Sequence, residues 1–183
     1  GERSALNIVG RGLDLENIQR GDWILEKNAK LPTSRLDAVL TVLRSEVKSL
    51  KHWTPGHLYL GSANFICRVA VLRNKEIQPG CNEFVQLVVE RDIHAVFGDH
   101  FIIRDISSKR TIGGGLIIDP FAKAHRRTSS ERIMKLQSLS FQSSRRSLSE
   151  LFITNPGGLD LGAFSAGRNL TKTEFESIEK ELD

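Results

Sequence analysis

With 183 residues, of which 39% are hydrophobic and 26% charged, the chain is long enough for one good-sized domain or two small ones with an ordinary buried core. A formal net charge of +4 excludes a strongly acidic chain and carries a mild bias toward anionic partners. No apolar run approaches the ~18 residues that span a bilayer, and GERSALNIVG has neither the basic stretch nor the apolar core of a signal peptide, so a cytoplasmic protein with no membrane partner is expected.

The chain opens on a strand pattern, Arg3 to Val9, followed by a polar turn with Gly10 and Gly12. A natural protein rarely starts on such a pattern without a turn or cap before it, so the sequence reads as a piece of a longer chain. The run LENIQRGDWIL predicts one helical turn closed by Gly21 and a second strand after it. Lys30-Leu31-Pro32-Thr33-Ser34 is polar and carries a proline, which makes it a linker and places a domain boundary there.

From Arg35 the pattern is β-rich. Leu36, Ala38, Leu40 and Val42 alternate with Asp37, Val39, Thr41 and Leu43. Trp53-Thr54-Pro55-Gly56 reads as a turn before His57 to Leu60. Further strands are expected at Asn64–Leu72, Phe84–Glu90, His100–Arg104 and Ile112–Ile118, with Gly98-Asp99 as a hairpin corner. About six short strands at this spacing mean a barrel or a sandwich. Trp23 and Trp53, each beside a turn, are expected to fill barrel ends.

The composition changes after Pro120. Between Phe121 and Ser147 seven cations, Lys123, Arg126, Arg127, Arg132, Lys135, Arg145 and Arg146, face the single acid Glu131, a net +6. Ser130 is a candidate cap for a helix carrying Ile133, Met134, Leu136 and Leu139, and Leu148, Leu151 and Phe152 suggest a second helix ending before Asn155-Pro156-Gly157-Gly158. Leu161, Phe164 and Ala166 begin a third. Thr171 and Glu174 have the spacing of a capping box, and Phe175, Ile178 and Leu182 form a helical stripe. The last two helices, joined through Gly167-Arg168-Asn169, resemble a helix-turn-helix, and a winged helix here would lack its wing.

The stretch Asp99–Asp119 reads as two apolar strands joined by the polar loop Arg104-Asp105-Ile106-Ser107-Ser108-Lys109-Arg110-Thr111. Three cations, one carboxylate and three hydroxyls on a hairpin tip suit a phosphate backbone, while Gly113-Gly114-Gly115 bends the sheet behind them. A solvated hairpin end has the same composition. The glycine triplet is no nucleotide-binding loop, because no Lys-Ser/Thr follows it. His52, His57, His94, His100 and His125 show no metal-ligand spacing, Ser62 and Ser165 sit in no nucleophile elbow, and Cys67 and Cys81 form no C-x-x-C pair, so neither a catalytic nor a metal site is expected and a reduced compartment fits. Lys123, Arg126 and Arg127 would neutralise phosphates, or form an ordinary solvated linker.

Several stretches resemble the two β-barrel domains that follow the GTPase domain in elongation factor Tu-like translation factors. GERSALNIVG with ENIQRGDWIL is similar to the end of the second domain, and PGCNEFVQLVVERDIHAVFGDHFIIRD with RTIGGGLII to the close of the third. The ordered set Arg3 to Ile8, WTPGHLYLGSANFICRVAVL and FIIRDISSKRTIGGGLIID resembles one branch, the selenocysteine-specific elongation factors of the SelB type, whose bacterial members continue into tandem winged helices. The resemblance implies a mainly β chain with an elongation factor Tu-like antiparallel β-barrel: the C-terminal part of a second barrel at 1–32, the third barrel at 33–120, and a basic linker with an incomplete first winged-helix domain at 121–183.

It also implies roles. In the family a second-domain pocket holds the selenol of the aminoacyl group with cations, and Arg3 matches one of them; an anionic selenolate and a neutral serine hydroxyl differ in charge, which an arginine can read. The third-domain hairpin faces the T-stem of the tRNA, and Arg104, Asp105, Ser107, Ser108, Lys109 and Arg110 match it by position. The implied partners are selenocysteyl-tRNA and, through the intact factor, the ribosome at recoded UGA codons. The mRNA hairpin is read by later winged helices and is not expected to bind here. GTP and Mg would belong to a domain outside this chain, leaving no cofactor and no enzyme activity in the segment. Two alternatives stand beside this: a barrel-plus-helix protein-interaction module, and the barrel region of another translational GTPase.

Overall fold

The computed structural model describes residues 4–10, 18, 20–25, 32–124, 129–155 and 158–182. Among these residues eight strands are followed by four helices: β1 (Thr33–Val42), β2 (Leu50–Lys51), β3 (Thr54–Leu60), β4 (Ala63–Val71), β5 (Glu76–Ile77), β6 (Asn82–Ile93), β7 (His100–Arg104), β8 (Thr111–Asp119), α1 (Ser130–Leu139), α2 (Ser144–Thr154), α3 (Leu161–Gly167) and α4 (Lys172–Lys180). Six strands close an antiparallel barrel in the order β1-β6-β4-β3-β7-β8, with β8 returning to β1, while β2 and β5 make a small separate ribbon.

The alternation in β1 explains both cores. Leu36, Ala38, Leu40 and Val42 are fully buried and point into the barrel with Leu58, Cys67, Val69, Val85, Leu87, Ile103 and Ile117. The intervening residues point outward, yet Val39 is half-buried. With Leu72, Phe84, Phe97 and Ile118 it forms the barrel side of a second core, whose other side is Ile133, Leu136, Leu139, Leu148, Leu151 and Phe164 from the helices. A barrel face covered by amphipathic helices keeps apolar residues on both sides of its strands.

Gly113, Gly114 and Gly115 close the barrel by allowing approach. None has a positive φ. A Cβ on Gly115 would run into the Val39 carbonyl of β1, one on Gly113 into the Thr41 carbonyl, and one on Gly114 would lie 2.8 Å from the Phe101 oxygen of β7. β8 therefore sits between β1 and β7 at a spacing that only a bare backbone permits.

The structure changes several sequence expectations. Residues 4–10 and 22–25 belong to no strand, and the rest of the expected strand–turn–strand unit falls largely outside the described residues. Thr33 and Ser34 open β1 instead of ending a linker. Thr54-Pro55-Gly56 lies within β3, because β3 pairs with β7 only from His57 onward and Pro55, which has no N–H to donate, precedes that ladder. Trp53 and Trp23 are 45% and 42% exposed and fill no barrel end; Trp53 takes a left-handed turn and faces the Arg68 guanidinium at 5.9 Å. Gly98-Asp99 is a tight turn but no hairpin corner, since it joins β6 to β7 and these strands are not neighbours.

The helices start where side chains satisfy free N–H groups. Ser129, not Ser130, caps α1 by accepting from Arg132 N, Ser143 caps α2, Asp160 caps α3, and Thr171 with Glu174 forms the expected capping box on α4. Among the described residues no helix is long and apolar enough to cross a membrane.

Candidate nucleic-acid interface

The β7–β8 hairpin is built as the sequence pattern predicts. Ile103 pairs with Gly113 and Arg104 with Thr111, with a register shift between them, and six residues make the connection. Asp105 organises that connection. Its Oδ1 accepts the backbone N–H groups of Lys109 (2.8 Å) and Arg110 (3.0 Å), and its Oδ2 accepts the Ser107 hydroxyl. Its own N–H donates to Arg110 O, and its carbonyl accepts from Ser108 N. These bonds, the Arg110 amide first and the Ser107 hydroxyl next, hold the Asp105 carboxyl below its ordinary range.

The cations of the hairpin differ in what they face. Arg104, half-buried at the end of β7, has its guanidinium 5.7 Å from the Tyr59 ring, and its Nε is buried without a hydrogen-bond partner. Arg110 makes an ion pair with Glu46 from the β1–β2 connection. Lys109 is exposed. Ser108 is left-handed with φ of 54°, and His57 Nε2 lies 3.2 Å from the Ile106 carbonyl, which fixes the other side of the loop. The hairpin thus brings Arg104, Asp105, Ser107, Ser108, Lys109 and Arg110 together, with Asp105 and Ser107 turned toward the loop itself. Sequence reading missed Glu46, which lies in a polar run between strands with no spacing signal.

The remaining candidates are not gathered at this tip. Arg3, Arg126 and Arg127 lie outside the described residues. Lys123 is exposed after β8, and its carbonyl accepts from Gln86 Nε2 at 3.1 Å. That bond belongs to a buried polar cluster between barrel and helices. Arg132 on α1 donates to Asp37 on β1 through Nη2 (2.6 Å) and Nε (3.3 Å), and Gln86 donates to the same carboxylate at 3.0 Å. Burial pushes Asp37 up to about 6, against the lowering charge and hydrogen bond of Arg132.

Arg168 makes a second link between barrel and helices. Its Nη2 donates to the carbonyls of Leu139 (2.7 Å) and Phe141 (2.8 Å) in the α1–α2 turn, while its guanidinium stacks 3.8 Å from the Phe97 ring centre. Phe97 N donates to Gly167 O at 2.6 Å across the same contact. Burial lowers Arg168 to about 10. Among the described residues no group of three metal-ligating side chains converges, and burial pushes the Cys67 thiol up to about 12, away from reactivity.

The chain is a closed six-stranded antiparallel β-barrel with a cationic hairpin at one end and a helical extension on one face. Residues 37–124 match the family described as selenocysteine-specific elongation factor, beta-barrel domain. The whole chain is 29% identical to the selenocysteine-specific elongation factor of Desulfomicrobium baculatum, covering 28% of that protein. It is 28% identical to the Haemophilus influenzae factor of the same name over 70% of this chain and 20% of the relative, and 29% identical to that of Escherichia coli over 64% and 17%. The barrel is thus similar to the barrel domain of selenocysteine-specific elongation factors, and the chain spans less than a third of the length of these relatives.

Proposed function

We propose that the chain is the tRNA-binding portion of a selenocysteine-specific elongation factor, holding selenocysteyl-tRNA for delivery to the ribosome at recoded UGA codons. The observation that carries this reading is the hairpin of the family-matched barrel, which groups Arg104, Lys109 and Arg110 at one end of the sheet. Cations so grouped neutralise phosphates in a salt-dependent manner and fix register on an RNA stem without reading its sequence. Arg3 is assigned to the selenol pocket by resemblance, and Lys123, Arg126 and Arg127 to an RNA-facing linker. GTP hydrolysis, with GTP and Mg, belongs to a part of the factor outside this chain.

The test is tRNA binding across a salt series. Arg104→Ala combined with Lys109→Ala is expected to weaken binding and reduce the slope of log affinity against log salt by about 1 to 2. Unchanged affinity and slope would remove the hairpin from the interface. Arg3→Ala is expected to erode the preference for selenocysteyl- over seryl-tRNA, and unchanged discrimination would remove Arg3 from the pocket.

A further inference from the structure

We propose that Asp105 is a positioning residue: it preforms the β7–β8 loop and presents Lys109 to RNA without touching the RNA itself. The inference rests on the RNA-binding reading above and assigns a different part to each member of the hairpin tip.

A carboxylate facing a phosphate backbone is repelled, so an aspartate in the middle of a cationic tip calls for another role. Its hydrogen bonds supply one. Oδ1 accepts two consecutive backbone N–H groups, those of Lys109 and Arg110, and thereby fixes the chain direction at the two cations in sequence. Oδ2 holds Ser107. The left-handed Ser108 between them is a conformation that a non-glycine residue keeps only where its surroundings impose it, and here Ser108 N donates to Asp105 O at 2.7 Å.

The cations then divide. Arg110 is held by Glu46, and Arg104 lies over Tyr59. Among the described residues Lys109 is the hairpin cation with neither an acidic nor an aromatic partner, and its backbone N–H is one of the two that Asp105 pins. A cation already aimed loses less freedom on binding than one carried by a loose loop.

Two variants separate positioning from charge. Asp105→Asn removes the negative charge but keeps an oxygen that accepts both amides; Asp105→Ala removes the charge and the acceptor. The measurements are 15N relaxation of the Lys109 and Arg110 amides in the free chain, and binding of the chain to an RNA hairpin with the base-paired stem of a tRNA T-arm. With Asn the amides stay ordered and affinity is equal to wild type or up to about threefold higher, because one repulsive charge is gone. With Ala the amides become mobile and affinity falls about fivefold in spite of the lost repulsion. An equal gain from both variants would reduce Asp105 to its charge, and an equal loss from both would put it in direct contact; either overturns the proposal, as do ordered amides in Asp105→Ala. If wild type fails to bind the hairpin while the loop ordering holds, the RNA-binding reading fails; if wild type binds and Lys109→Ala binds equally well, that reading stands and presentation of Lys109 to RNA is overturned.

Discussion

Arg132 Nη2 lies 2.6 Å from Asp37 Oδ1, although the two residues are 95 positions apart and both side chains are under 10% exposed. Asp37 belongs to the outward set of a barrel strand and Arg132 to the first turn of the helix laid over it, so the pair forms where the two cores meet. Gln86 Nε2 joins the carboxylate to the Lys123 carbonyl, and Arg35 Nη1 donates to Gln86 Oε1 at 3.2 Å. Strands β1 and β6 of the barrel and the first helix are connected here through charge, where the surrounding contact is apolar.

Breaking that pair from one side should be severe. Asp37→Ala strands a buried guanidinium, and the expected loss is roughly 3–5 kcal/mol in denaturant unfolding. Replacing both partners by apolar residues, Asp37→Leu with Arg132→Met, should recover most of it, because neither charge then remains unpaired. A double variant as unstable as Asp37→Ala would mean that the pair is not what holds α1 to β1.

The same carboxylate gives a pH dependence. Its folded pKa of about 6 lies above the ordinary carboxylate value of 3.8, with burial as the main cause. The folded state therefore binds the proton more tightly than the unfolded state, and the contribution is fully present below about 4 and lost as pH rises through about 6. At about 1.4 kcal/mol per pH unit, wild type should lose up to roughly 3 kcal/mol relative to Asp37→Asn between pH 4 and 7. The side-chain carboxyl 13C shift of Asp37 should titrate with a midpoint near 6, and move higher in Arg132→Met. A midpoint near 4 would contradict this.

Arg168 makes a sharper case for geometry over charge. Lysine keeps the charge but cannot reach the Leu139 and Phe141 carbonyls together while lying flat on Phe97. Arg168→Lys should cost about 2 kcal/mol. The Phe97 amide, which donates to Gly167 O across the contact, reports it directly: its hydrogen exchange should quicken roughly 30-fold, while amides inside the barrel change little. Equal acceleration throughout would point to global unfolding instead.

These two arginines show where sequence reading stops. The barrel strands were legible because Leu36, Ala38, Leu40 and Val42 alternate cleanly and have no competing pattern; the capping box of α4 was legible because Thr171 and Glu174 carry their own spacing. Asp37 occupies an outward position of that same alternation, which ordinarily means solvent. Only the arrival of α1 over β1 buries it, and no local pattern announces a contact across 95 residues. The hairpin tip was legible as a set but not by role, since the order of Asp105, Ser107 and Lys109 does not say which groups turn inward. Pro55 misled for a related reason: a proline in a strand is tolerated when no neighbour needs its N–H, and that depends on where β7 begins.

Gly115 offers a test of barrel closure. Alanine there would press its Cβ on the Val39 carbonyl and within 3.0 Å of the Phe101 ring, and neither the backbone nor a buried ring can give way cheaply. Gly115→Ala should lose about 2–3 kcal/mol, a fall in melting temperature of roughly 5–10 °C. Gly61, left-handed at φ 57° with open space around it, should accept asparagine with little change. Comparable losses at both positions would argue against crowding as the reason for the triplet.

The ion pair between Glu46 and Arg110 makes a prediction of opposite sign. Arg110 is 56% exposed at its side chain but already has an anionic partner, so a phosphate approaching it must compete with Glu46. Glu46→Gln removes that competitor without shortening the side chain. If the hairpin tip meets RNA, the variant should bind a tRNA about two- to fivefold more tightly at low salt, and the gain should shrink as salt screens both interactions. Arg110→Ala in the Glu46→Gln background should abolish the gain, because the released guanidinium is its source. A gain that survives Arg110→Ala would reflect the change in net charge alone, and no gain at any salt would place Arg110 outside the interface while leaving Lys109 to be judged by its own substitution.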